Sequence, residues 1–205
     1  MKNIFLKITF AVFTLGTLSS CNEEETDIPT VRPLLFNEDF PEADIDFNAD
    51  FDFAGWTNFN QAGSKKWIER DFSGSGYIQF SSFGSGNLSN IGWAITPAIN
   101  MDATTNEVFT FNSASNFVSD ASNKLEVLIS TNYDGTNVLA ATWTPLSAVV
   151  ANQTTNNYTY IPSGEIDLSS YSGNVHIAFK VTGSGTDTNL DGLFQVDDVK
   201  VYSKL

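Results

Sequence analysis

One cysteine and one histidine stand in a chain of 205 residues, and that scarcity closes off several chemistries at once. A lone thiol, Cys21, cannot form a disulfide within the chain, so stability has to come from packing. Cys21 and His176 are also too few for a Cys/His zinc cluster. Bases are scarce as well: ten Lys and Arg face 24 Asp and Glu, a net charge of −14. Such a field repels phosphate backbones, and no basic patch with interleaved aromatics offsets it, which argues against nucleic acid as a partner. No apolar run reaches the roughly 20 residues that cross a bilayer. Beyond the N-terminal segment no window carries an apolar stripe of period 3.6 for ten residues. Neither a P-loop, a dinucleotide fingerprint nor a G-x-S-x-G elbow is present.

What is there begins with MKNIFLKITFAVFTLGT, in which Lys2 and Lys7 precede an apolar stretch through Ile8, Phe10, Ala11, Val12, Phe13 and Leu15. A basic start, a short apolar run and small residues after it are the layout of a secretory signal. Leu18-Ser19-Ser20-Cys21 resembles a bacterial lipobox, which implies cleavage before Cys21 and lipid joined to its thiol. Two or three acyl chains give stable anchoring where one is marginal, at about 0.8 kcal/mol per buried CH₂. Asn22-Glu23-Glu24-Glu25 resembles the acidic export signal of Bacteroidota surface lipoproteins, the alternative being a solvated tether. The expected organisation is a signal over 1–20, an acidic tether over 21–33 and a folded domain over 34–205. The expected location is the outer membrane, lipid-anchored and facing the outside.

From Leu34 onward apolar residues alternate with polar ones. LLFNEDF (34–40), KWIERDF (66–72), YIQFSSF (77–83), GWAIT (92–96), EVFTFNS (107–113), KLEVLIST (124–131), NYTYIP (157–162), VHIAFKVT (175–182) and LFQVDDVKVY (193–202) each read as a strand of period two. Between them lie turn residues, among them Asp134-Gly135, Ser163-Gly164, Ser172-Gly173 and three Gly-Ser-Gly pieces. A short turn is expected near Leu168 to Tyr171. The pattern predicts an all-β fold: an antiparallel two-sheet β-sandwich, a jelly roll.

FNEDF (36–40), GW (55–56), SSFGSGN (81–87), WAITPAIN (93–100), LEVLISTNYDG (125–135), ATWTPL (141–146), SGEIDLSSYSGNVHIAFKVTGSG (163–185) and FQVDDVKV (194–201), in that order, resemble the choice-of-anchor J domain. That family is common in Bacteroidota surface proteins and related in fold to cleaved-adhesin modules. The resemblance spans Leu34 to Tyr202. It implies a jelly-roll sandwich, adhesion or glycan binding, and calcium sites in the better-known relatives, and it implies no reaction.

Two sets of oxygen-bearing residues are candidates for calcium, the one cofactor expected. Asp187, Asn189 and Asp191, followed by Gly192, fit the start of a calcium loop, and Asp198 falls on its twelfth position. The flanks are strands, which rules out an EF-hand, and a polar hairpin turn is the plainer alternative. Glu38 and Asp39 in the first strand, with Asp197 or Asp198 in the last, form the second set, since four acids brought together need metal or solvent to relieve them.

Glu165-Ile166-Asp167-Leu168 resembles the opening of the E-x-D-x-x-E signature of jelly-roll glucanases, but Ser170 stands where the second glutamate belongs. Without that carboxylate the two-carboxylate mechanism fails. His176 alternates with Val175, Ile177, Phe179 and Val181 and reads as an outward strand residue. Binding is what remains. Trp143, Tyr158 and Tyr160 are the expected contacts, with Tyr158 and Tyr160 on one face of NNYTYIP. The expected function is therefore that of a non-catalytic surface module recognising a glycan, the alternatives being a protein-interaction or adhesion module and a glycoside-active enzyme.

Overall fold

The period-two segments pair into two antiparallel sheets in the computed structural model, which describes residues 32–204. In chain order the strands are β1 (Leu34–Glu38), β2 (Thr57–Ala62), β3 (Ile68–Phe72), β4 (Ser75–Ser81), β5 (Asn90–Ile95), β6 (Ile99–Asn100) and β7 (Glu107–Asn116). They continue with β8 (Lys124–Ser130), β9 (Thr144–Pro145), β10 (Ile161–Pro162), β11 (Ile166–Asp167), β12 (Asn174–Gly183) and β13 (Leu193–Ser203). The seven-stranded sheet runs β10-β7-β13-β4-β3, with β1 added on β13 and β11 on β7. The six-stranded sheet runs β2-β5-β12-β8-β9, with β6 added on β12. The predicted two-sheet sandwich is thus the observed fold. Signal, tether to Val31 and Cys21 lie outside the described residues.

Alternation puts one face of each sheet into a shared core. Ile78, Phe80, Phe109, Phe111, Phe194, Val196, Val199 and Val201 come from the seven-stranded sheet, and Val127, Ile129, Val175, Ile177, Phe179 and Val181 from the six-stranded one. Phe111 meets Phe179 edge to face across the gap, with ring centroids 5.1 Å apart. Each such side chain contributes about 1.5–3 kcal/mol on burial. Gly92 of β5 is required by the same packing, because a Cβ there would run into the Phe80 ring.

Residues 39–56 close one end of the sandwich without forming a strand. Phe40 and Phe51 are buried, and their rings pack with those of Phe53 and Trp56 at centroid distances of 5.3–5.8 Å. Three backbone N–H groups of this segment, those of Asp46, Asn48 and Asp52, find their acceptors on Glu69 of β3. Glu69, itself buried, accepts from the Asp46 N–H at 2.7 Å and the Asp52 N–H at 3.2 Å.

Two segments depart from the sequence pattern. Strand β2, TNFNQA, carries too few apolar residues to show period two; it is held because Asn58 donates to Phe51 O and Trp67 O and accepts from Trp67 N–H. The predicted strand over 157–162 survives only as Ile161–Pro162. Asn157 and Tyr158 take left-handed backbone angles (φ 76° and 58°), and the Tyr158 N–H donates to Ser115 O, so the chain turns where a strand would continue. The turn expected at Leu168 to Tyr171 is present, closed by Tyr171 N–H to Leu168 O at 2.9 Å.

Candidate functional site

The outer faces of the two sheets differ. On the six-stranded sheet, Trp93, Ile95, Leu128 and Ala178 are covered by the segment after β8, through Tyr133, Val138, Ala141 and Trp143. Trp143 packs on Trp93 and Tyr133 at centroid distances of 5.4 and 5.5 Å, and its Nε1 donates to Val138 O. The outer face of the seven-stranded sheet carries instead an open groove of about 840 Å³.

Register builds that groove. Residues directly opposite one another in antiparallel strands point to the same face. Ser81, Leu193 and Asn116 therefore form one row across β4, β13 and β7, and Ile68, Gln79, Gln195 and Ala114 a second row from β3 to β7. Three strand spacings give the second row a width of roughly 14 Å. Gln195 is buried and donates its Nε2 to Gln79 Oε1 at 3.0 Å, which fixes the orientation of the Gln79 amide in the groove floor. Ser81 Oγ donates to Asp191 O, tying the floor to the loop that leads into β13.

Aromatics rim this floor. Phe83, just past β4, is 71 % exposed, and Phe117, just past β7, is 66 % exposed; both line the groove. Tyr158 packs edge to face on Phe117 at 6.4 Å. Phe117 (φ 59°), Asn157 and Tyr158 all hold left-handed backbone, a conformation that costs a non-glycine residue about 1–2 kcal/mol. The Asn116 side-chain oxygen stabilises it by accepting from the N–H groups of Phe117 and Asn157. The strained backbone thus displays Phe117 at the groove, with the Tyr158 ring packed against it.

The far end of the same face is a tyrosine–carboxylate cluster. Tyr160 packs edge to face on buried Tyr77 at 6.4 Å. Asp197, at the bulge where β13 changes neighbour from β4 to β1, accepts from the Asp198 N–H at 2.6 Å. Burial pushes the Asp197 carboxyl up to about 6; the Asp198 charge adds to this, while the Asp198 N–H and Lys200 oppose it. Burial, and then the charge of Asp197, push the Tyr160 hydroxyl above its ordinary value too.

Of the residues singled out in the sequence, Tyr158 and Tyr160 both reach this side of the molecule, whereas Trp143 belongs to the covered face opposite. Asp191 lines the groove. Among the described residues no group of three His, Cys, Asp or Glu side chains is arranged to hold a metal ion. Asp187 Oδ1 accepts from Asn189 N–H and Nδ2, Asp198 pairs with Lys200 Nζ at 2.9 Å and accepts from Asn112, and Glu38 accepts from Phe40 N–H. Burial raises Glu38 above its ordinary range. Asp39 sits beside it in sequence, just past β1. Glu165 is tied to Lys204 at 2.5 Å and receives the Tyr202 hydroxyl, which hold its carboxyl below the usual range. His176 shares its Nδ1 with Thr96 O at 2.8 Å and meets the Tyr133 ring edge to face.

The family model of DUF5017, a domain of unknown function, matches residues 52–203. The chain belongs to the DUF5017 family. Among solved structures this DUF5017 domain is similar to the K2 cleaved adhesin domain of Lys-gingipain (Kgp), at a TM-score of 0.53 and 16 % identity, covering 82 % of this chain and 99 % of that one. The K3 cleaved adhesin domain of Lys-gingipain from Porphyromonas gingivalis gives 0.50 and 18 %, covering 83 % and 99 %. A carbohydrate-binding module described for specific mannan recognition, TmCBM27, gives 0.48 and 14 %, covering 85 % and 99 %. At these identities the likeness to the two cleaved adhesin domains is one of fold. No curated protein matches the DUF5017 chain. The cleaved-adhesin likeness read from the sequence is present in the structure, and the family that matches is DUF5017. No helix among the described residues is long and apolar enough to cross a membrane.

Proposed function

We propose that this DUF5017 domain is a non-catalytic glycan-binding module, displayed at the bacterial cell surface on a lipid at Cys21, with its ligand lying across the outer face of the seven-stranded sheet. The observation that carries the reading is the open groove of about 840 Å³ with Phe83 and Phe117 exposed at its rim and the amide of Gln79 and hydroxyl of Ser81 in its floor. A pyranose ring has apolar C–H faces and a polar hydroxyl edge. Exposed aromatic rings match the first, and fixed amides and hydroxyls match the second. Catalysis is disfavoured by Ser170, which stands where the second carboxylate of a glycosidase pair would be needed beside Glu165. The lipid anchor is supported by Leu18-Ser19-Ser20-Cys21 after the basic and apolar start.

Retention of the purified protein on a polysaccharide panel tests the site. Phe83→Ala and Phe117→Ala are expected to abolish retention with melting unchanged, and Trp143→Ala, on the other sheet, to leave retention intact once stability is matched. Retention that survives both phenylalanine changes would move the site elsewhere. Silence across the panel with the fold intact would turn the reading to a protein partner. For the anchor, Cys21→Ser is expected to shift the expressed protein from the detergent to the aqueous phase.

A further inference from the structure

Eight lysines and arginines lie within the described residues, and their partners are informative because acids are in such excess. Lys66 pairs with Asp50 at 3.1 Å, Lys124 and Lys180 with Glu126, Lys200 with Asp198 and Lys204 with Glu165. Arg70 sits over the Phe47 ring and donates to Asn48, and Arg32 sits over the Tyr202 ring. Lys65 is the exception: among the described residues it has no carboxylate, amide or aromatic partner. It is half-buried and lines the groove at the β3 end, beside Ile68 and across the floor from Phe117. The chain as a whole carries 24 acids to ten bases and repels polyanions, but the groove lining reverses that sign locally, with two lysines against the one carboxylate of Asp191. Lys66 lines the same end but shares its charge with Asp50, so the Lys65 ammonium is the one left to offer its charge to whatever enters.

Resting on the glycan reading above, we infer that the ligand is an anionic polysaccharide, with the carboxylate or sulfate of one sugar seated at Lys65. Asp191 is the groove's one carboxylate among its lining residues. It leads into β13, two strand spacings from β3, roughly 10 Å away by sheet geometry. There it accepts hydroxyls of a neighbouring sugar, and it bars the anionic group from the middle of the groove. The polarity of the groove therefore also sets the direction in which the chain lies, with the charged sugar over β3.

The test compares charged polymers with their neutralised forms on one backbone: polygalacturonate against its methyl ester, and chondroitin sulfate against desulfated, carboxyl-reduced chondroitin, each titrated calorimetrically with the purified protein. The anionic member is expected to bind at least tenfold more tightly than its neutral form, about the value of one charge-assisted hydrogen bond. Its affinity should fall with salt. Lys65→Gln is expected to abolish the preference for the charged form, and Lys65→Arg to keep it. Equal affinity for charged and neutral forms, or a preference that Lys65→Gln leaves in place, overturns the inference and leaves the glycan groove standing. Failure of every glycan, charged or neutral, to bind the unaltered protein overturns both.

Discussion

Phe117 and Tyr158 display their rings from backbone that glycine would adopt more cheaply, so rim and stability are in opposition at these two positions. Phe117→Gly is expected to leave stability unchanged or raise it by up to about 1 kcal/mol, while weakening glycan binding by roughly tenfold or more. Urea melts and calorimetry on the same sample read both. Asp197 gives a pH-dependent counterpart. Its carboxyl is raised to about 6 from 3.8, so between those values the folded chain holds more protons than the unfolded one, and stability falls as pH rises through the window. Asp197→Asn keeps an oxygen for the Asp198 N–H and removes the charge. The variant is expected to melt higher than the unaltered protein at pH 7, with the difference vanishing near pH 4. Some of these residues were legible: in YIQFSSF period two puts Tyr77, Gln79, Ser81 and Phe83 on one face, an aromatic at each end of a polar row. Phe117 was not, because it follows its strand in a left-handed turn that no alternation announces, and the packing of Trp143 on the other sheet was not, because an aromatic among polar neighbours can equally be folded onto the back of a sheet.

At the scale of elements, the strands with strong alternation and β-branched or aromatic residues formed where expected, while β2 and the segment over 157–162 did not follow pattern. Both exceptions have the same physical origin. In β2 the side chain of Asn58 supplies hydrogen bonds to Phe51 and Trp67, and in 157–162 the backbone turns under Asn116; such long-range polar pairing leaves no periodic trace. Glu69 works in the same way on the 39–56 segment. Glu69→Ala would remove both acceptors of the Asp46 and Asp52 N–H groups and empty the space of a buried side chain, each lost hydrogen bond to a charged group being worth about 1.5–3 kcal/mol. A loss of at least about 2 kcal/mol in urea unfolding is expected, with first proteolytic cleavage inside 39–56.

The molecule as a whole is asymmetric: one outer face is sealed by its own loop and the other is open, and nothing in strand periodicity distinguishes the two. What decided the matter was the loop after β8 folding onto Trp93, a contact between segments far apart in sequence. The family match begins at residue 52, yet β1 pairs with β13 over Leu34 to Glu38, and Phe40 and Phe51 are buried in the common core. A chain beginning at residue 52 is therefore expected to melt far below one beginning at 32, or to stay unfolded, by circular dichroism.

The central strand of the seven-stranded sheet is β13 and that of the six-stranded sheet is β12, and these are the last two strands in the chain. Every earlier strand of the main run of each sheet waits for a spine that arrives at the end. During synthesis, or passage through a membrane from the N-terminus, neither sheet can close until the final residues emerge. Such long-range pairing is also intrinsically slow. On the proposed cell-surface reading, the order of the strands acts as a clock, holding the chain in a threadable form until export is complete.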